Sequence, residues 1–212
     1  MTRTTDQGAR LAKQSEPATR ERRKGSDTRA EIRDVALELF TERGYESTSM
    51  REIAERLGIS KAALYYHFES KEAIVLGLFS DYIEVMDGVL EWAESQPPSW
   101  THSIAIVSRW LTAAADPGLR LIRFSTMNHA VIRDSGVFNR EQLIGRLDRA
   151  AQLIVGPDAP VGDRLRARMA LLSVHSAAMA AKDLDISDED ILSAAREVAS
   201  TLVTDLVPTD RS

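Results

Sequence analysis

Between Ser60 and Lys71 the chain gathers side chains able to hold a polyanion without making or breaking a covalent bond. At 100° per residue, Leu64 and Phe68 fall on one face of a short helix. Ala63 and His67 lie toward one flank, and Ala62, Tyr65 and Tyr66 lie opposite. Each exposed tyrosine offers an apolar plate and a hydroxyl suited to phosphate oxygens or base edges. Ala62 lets the helix backbone approach a surface closely, and Ser60 with the free N–H groups of the helix start faces a phosphate as an anion site. Lys71 opens the next helix, where it opposes the macrodipole by roughly 0.3–1 kcal/mol; an arriving phosphate reverses that sign. Taken singly, the tyrosines also read as packing or partner contacts, and Lys71 as a solvated lysine. Their joint occurrence in a two-helix unit of groove-reading size favours a nucleic-acid surface.

Other chemistries lack their residues. The chain has 212 residues and no cysteine, which excludes a disulfide framework, a thiolate nucleophile and a zinc site built on thiolates. The histidines, His67, His102, His129 and His175, include no pair at H-x-x-x-H spacing. There is no glycine-rich phosphate loop and no G-x-S-x-G turn, and the acids are dispersed as on a solvated face. The expectation is a protein that is not an enzyme and that holds no metal or cofactor. No apolar run follows the first basic residues, so no secretory signal is expected. The densest apolar run, Met169 to Ala181, is interrupted by Ser173, His175 and Ser176 and is too short for a membrane span. A soluble, cytoplasmic protein is expected.

Charge is unevenly spread. The net charge of −5 conceals residues 1–28, whose Arg and Lys outnumber their acids by about three. Residues 1–25 have almost no large apolar side chains and read as a disordered basic arm, either a source of minor-groove or phosphate contacts or a solubilising tail. From Thr28 the pattern changes. Ile32, Val35, Ala36, Leu39 and Phe40 form one helical stripe, with Thr28 and Glu31 as a capping box and Gly44 as the stop. Ser49 with Glu52 opens a second helix carrying Met50, Ile53, Ala54 and Leu57, and Gly58 ends it. Ser60 caps a third helix from Lys61 to about Phe68, and Ser70 caps a fourth. Two short helices joined through Gly58 and Ile59 make a helix-turn-helix pattern, with Ile59 tucked beneath the turn. No run of alternating β-branched residues occurs, so the fold expected is all-α.

The segment TRAEIRDVALELFTERGYESTSMREIAERLGISKAALYYHFESKEAIV, Thr28 to Val75, resembles the N-terminal DNA-binding domain of the TetR (tetracycline-repressor) family. The resemblance covers about a quarter of the chain, and its most specific part is Gly58 to Lys71. It implies a three-helix DNA-binding head on an all-α regulatory body, working as a homodimer on a palindromic operator in double-stranded DNA. Carried over by position, it implies phosphate contacts from Thr48 and Ser49. It sets Ser60, Lys61, Ala62, Tyr65, Tyr66 and His67 at the groove, with Lys71 clamping the backbone. Ala62 and Tyr65 match base-edge positions, whereas Tyr66, His67 and Lys71 match phosphate positions; His67 also reads as a bridge between helices. Many relatives have Gly or Thr where this chain has Ala62 and Ala63, which removes side-chain hydrogen bonding there.

The domains expected are thus the arm at 1–25, a DNA-binding domain at 26–71, a helical regulatory and dimerisation domain at 72–207, and a tail at 208–212. Proline and glycine breaks divide the body into helices near 71–95, 100–115, 118–133, 139–155, 161–183 and 188–207. The first carries Ile74, Leu78, Tyr82, Val85 and Val89. The last two are apolar on most faces and predict a two-fold, four-helix dimer interface, with Ser173, Ser176, Ala177 and Ala180 allowing close approach. An intrachain core is the alternative. Trp110, Phe124, Met127, His129, Phe138, Met169 and His175 suit a largely apolar pocket for a small-molecule effector, and equally a plain core. The function expected is a sequence-specific regulator, a repressor released by such a ligand. The alternative is a ligand-independent regulator whose body serves only dimerisation or protein contacts.

Overall fold

The computed structural model describes residues 27–115, 118–128, 131–132, 140–182, 184–204 and 206. The basic arm at 1–25 and the tail at 208–212 lie outside the described residues. Among those described, every regular element is a helix and no strand occurs. No described helix is long and apolar enough to cross a membrane. The chain forms two compact units that divide between Ile74 and Val75.

The first unit holds α1 (residues 27–43), α2 (Met50–Leu57) and α3 (Lys61–His67). Helix α1 buries Ile32, Ala36, Leu37, Leu39 and Phe40, close to the stripe read from the sequence, with Val35 only half-buried. Residues 27 and 28 are already helical, so Thr28 is not the cap it was expected to be. The chain leaves α1 through Gly44, at φ +89°, whose N–H donates to the Phe40 carbonyl. Helix α2 starts on the reciprocal box of Ser49 and Glu52 and stops at Gly58 (φ 66°, ψ 24°). There the Ile59 N–H reaches back to the Ala54 carbonyl at 3.0 Å and the Gly58 N–H to Glu55 at 3.2 Å. The space around the Gly58 Cα is open, so the requirement for glycine comes from the backbone alone, about 1–2 kcal/mol for any L side chain. Ile59 is half-buried beneath this turn.

Helix α4 (Lys71–Glu94) is continuous; its first residues belong to the first unit and the rest to the second. Ser70 caps it by accepting the Ala73 N–H. Its buried stripe runs Ile74, Leu78, Met86, Leu90, with Val75, Phe79 and Ala93 beside it. Val85, expected in that stripe, faces solvent. Four-residue steps carry the buried face from Ile74 to Leu90, whereas the sequence reading shortened the third step to three.

The second unit adds α5 (Trp100–Ala113), α6 (Gly118–Met127), α7 (Arg140–Val155), α8 (Val161–Leu171), α9 (Ser173–Ala180) and α10 (Asp188–Val203). One apolar core joins Leu90, Ile106, Trp110, Ala150, Val174 and Ile191 with their neighbours. Each of its large aliphatic side chains contributes about 1.5–3 kcal/mol relative to exposure. Helix α10 packs on α8 and α9 and buries Ile191, Ala195, Ala199 and Val203 at four-residue steps. The single helix expected over 161–183 is two, because Leu172 sits at φ −86°, ψ 0° and interrupts the helical register. Ser173, expected on a close-approach face, is buried instead.

Candidate nucleic-acid interface and effector cavity

Helix α3 divides its side chains sharply. Leu64 is fully buried, and Phe68, the C-cap residue, is buried under the Arg29 guanidinium, 4.9 Å from its ring centroid. Outward stand Tyr65, 44% exposed, Tyr66, 87% exposed, and Ala62. The Lys61 ammonium lies 5.6 Å from the Tyr65 ring centroid, one helical turn back, so a cation and a phenol share one patch. Tyr66 meets His67 edge-on with centroids 5.3 Å apart, and His67 is half-buried. Ser60 begins the helix by accepting the Ala63 N–H at 3.1 Å. Two phenols, a lysine and a methyl-sized residue on one face can stack, donate and accept, and approach closely, as a duplex groove requires.

The carried-over positions around this helix divide. Ser49 is exposed, but its hydroxyl and N–H both donate to the Glu52 carboxylate at 2.8 Å. Those bonds hold the Glu52 pKa below the usual carboxylate range. Thr48 does not present its side chain at all. It is 2% exposed, and its hydroxyl donates to the Gly44 carbonyl at 2.9 Å and the Leu39 carbonyl at 3.3 Å. A β-branched hydroxyl locked onto the end of α1 fixes the entry to α2 and has no outward donor.

Lys71 has found a partner inside the chain. Its Nζ donates to the Tyr45 carbonyl at 2.7 Å and sits 4.3 Å from the centre of the Tyr45 ring. The carbonyl and the π-face together offset the unfavourable position of a cation at a helix start. The Tyr45 hydroxyl in turn donates to Glu72 Oε1 at 2.8 Å, and its ring packs on Phe40. Burial pushes the Tyr45 phenol well above its ordinary value, and Glu72 adds to the shift. The Glu72 carboxylate is held low, first by its own backbone N–H and then by Tyr45 and Ser70. A depressed carboxylate pKa stabilises the fold above the unfolded-state value, about 4.3, and that contribution fades as pH falls through the folded value. Urea titrations between pH ~7 and ~3 should therefore show the first unit weakening on acidification, with a shallower loss in Glu72→Gln. Equal slopes in the two proteins would remove Glu72 from this clasp.

In the second unit, a cavity of about 560 Å³ opens among helices α4 to α9. Phe79, Tyr82 and Met86 supply one wall, Leu121 and Ile122 another, and Leu147 and Val174 close it. Gly118 brings α6 so near to α4 that a Cβ there would stand 2.8 Å from the Tyr82 ring. Burial pushes the Tyr82 phenol up to about 12. Of the residues expected to line a pocket, Trp110 and His175 do so. Phe124 is buried outside the cavity wall, while Met127 and Met169 point outward, 65% and 49% exposed. His129 and Phe138 lie outside the described residues. The lining from α4 was missed, although the spacing of Phe79, Tyr82, Ile83 and Met86 on one helical face was available in the sequence. Arg146 was missed too, because only the α4–α7 packing brings it to the rim.

The family model described as bacterial regulatory proteins, tetR family, matches residues 32–78, the helices just described. The first unit belongs to the TetR family. This TetR-type head is 40% identical over 63 residues to the HTH-type transcriptional repressor KstR2 of Rhodococcus jostii, covering 30% of this chain and 31% of that protein. It is 51% identical over 43 residues to IcaR, the negative regulator of the biofilm operon icaADBC in Staphylococcus aureus, covering 20% of this chain and 23% of that one. The chain thus matches these curated relatives over less than a third of their length. The fold likeness reaches further. The TetR-family regulator PfmR of Thermus thermophilus aligns with a TM-score of 0.56 at 24% identity, over 82% of this chain and 97% of that one. The TetR-type fold therefore extends beyond the head.

Proposed function

We propose that this protein is a DNA-binding transcriptional regulator, a repressor that binds an inverted-repeat operator as a homodimer and leaves it when a small molecule fills the cavity of the second unit. The observation that carries the reading is the face of α3, on which Tyr65 and Tyr66 stand exposed beside Ala62 and Lys61 while Leu64 anchors the helix from behind. Two relatives of the head are named as a repressor and a negative regulator, which favours repression over activation. Ser49, Ser60 and His67 flank that face as phosphate contacts. Thr48 acts only by holding the start of α2, and Lys71 reaches a phosphate while retaining the Tyr45 carbonyl on another of its three donors. Release follows from population shift: a ligand favouring a conformation with wrongly spaced heads weakens operator binding by its differential affinity for the two states.

Selection of bound fragments from random duplex DNA tests the reading. The expected outcome is an enriched inverted repeat. Tyr65→Ala should then cost about 1–3 kcal/mol of discrimination at one position of each half-site. Lys71→Ala should weaken all sites about equally and lower the salt slope by about one unit. Because Lys71 also braces Tyr45, thermal unfolding of the variant must accompany the binding curves. Recovery of no preferred duplex at moderate ionic strength would overturn the proposal.

A further inference from the structure

The cavity in the second unit carries a more specific statement about what enters it, one that rests on reading it as the effector site. Its described walls are mainly apolar side chains of six helices, α4 to α9, and they contain no aspartate, glutamate or lysine. The cation among them, Arg146, stands where the cavity meets an outer groove shared with Asp87 and Glu91. Three of its five N–H donors have partners within the chain. Nε and Nη2 donate to the two oxygens of Asp87 at 2.7 Å each, and Nη1 points to the Gln142 carbonyl at 3.4 Å. This fork-to-fork geometry is the strongest pairing the two groups can make. It raises the Arg146 pKa and lowers that of Asp87, chiefly through the hydrogen bonds themselves.

The remaining polar side chains of the described lining, Tyr82, Ser125, Thr126, Gln142 and His175, carry no charge at mildly alkaline pH. Ser125 and Thr126 both spend their protons on the Ile122 carbonyl at 2.8 Å, leaving lone pairs. His175, at the rim, has its imidazole pKa lowered by burial and is neutral at mildly alkaline pH. Tyr82 supplies a phenol in the apolar wall. A carboxylate entering here meets a guanidinium whose charge and bidentate edge Asp87 already occupies, so it gains little net attraction unless it competes with that acid. A cation finds no acid among the described lining residues and loses its hydration uncompensated.

We infer that the effector is an uncharged, mainly apolar molecule carrying an oxygen function such as an alcohol, ketone or ester, and that Asp87 enforces this choice by neutralising Arg146. The volume suits one small molecule of ordinary size for such sites. Asp87 is a positioning and selectivity residue that acts through Arg146.

Three chain-matched probes decide the matter: dodecanol, dodecanoate and dodecylammonium, each displacing the neutral dye N-phenyl-1-naphthylamine from the full-length protein at mildly alkaline pH. The expected order places dodecanol at least about tenfold ahead of both ions. Asp87→Asn should shift the preference toward dodecanoate by about tenfold or more, through the released guanidinium, and Arg146→Gln should give no such gain. Ile122→Trp should fill the cavity and abolish displacement. Preference of the natural protein for dodecanoate or dodecylammonium overturns the inference while leaving the effector site standing. An unchanged preference in Asp87→Asn, once its fold is confirmed by circular dichroism, removes Asp87 from the mechanism. Failure of all three probes, or indifference to Ile122→Trp, overturns the reading of the cavity itself.

Discussion

Leu64→Ala should abolish specific duplex binding, by about a hundredfold or more, without disturbing the second unit. Helix α3 has seven residues, too few to persist in water on its own propensity. Leu64 is the side chain within the helix that is buried; its neighbours Ala63 and Tyr65 are exposed, and Phe68 follows as the cap. Truncating a fully buried leucine costs about 2–5 kcal/mol once the residual cavity is included. A small domain has about 5–15 kcal/mol in total, so the first unit loses a large share of its stability through one residue. Hydrogen exchange should show lost protection across α1 to α3, with the core around Leu90 and Ile191 unchanged. Tyr66→Ala is the counterpart. It removes a side chain that stands almost wholly in solvent, so its stability effect should stay within about 0.5 kcal/mol while its effect on DNA affinity persists. A Leu64→Ala protein that keeps both its protection and its binding would show that α3 is anchored otherwise.

The contrast between Leu64 and Thr48 marks what the sequence can and cannot convey. Caps are local: Ser49 with Glu52, Ser60 with Ala63 and Gly58 with Ala54 act over three or four residues, so residue type and spacing specify them. The partition of α3 follows from the helical period, and so Tyr65 and Tyr66 were readable as exposed. Thr48 depends on a chain reversal that brings the Leu39 carbonyl within reach, nine positions away. Lys71 is half legible. A cation at a helix start poses an electrostatic problem visible in the sequence, but its solution, the Tyr45 carbonyl, lies 26 residues earlier. The break at Leu172 has no proline or glycine to announce it. The cavity is least legible, because apolar side chains on α4 to α6 satisfy the same pattern whether they face a neighbour or a void. Met127 and Met169 even point the other way.

The exposed face that includes Met169 leads to the second large expectation. Val161, Leu165 and Met169 recur every four residues along α8, and all three are exposed. Met179 on α9 and Val198 on α10 are exposed as well, on helices whose other sides bury Val174, Ala178, Ala195 and Ala199 in the core. Each of these helices thus satisfies one face within its own chain and leaves another apolar face uncovered. That departs from helices apolar all round, since α8 also carries Asp163, Arg164 and Arg166, yet it preserves the need for cover. In the proposed homodimer a second copy would supply it by two-fold symmetry, each patch meeting its own image. Joining two heads makes the second half-site contact intramolecular and raises affinity by about 10²–10⁴ without any new DNA contact. Leu165→Glu with Val198→Glu should therefore yield monomers in sedimentation equilibrium and lower affinity for a full inverted repeat by that factor. Binding to an isolated half-site should be unaltered, and the hydrogen-exchange protection of α1 to α3 should match that of the natural chain. A dimer that survives both charges, or a full-site affinity that does not fall, would mean that the heads are paired through some other surface.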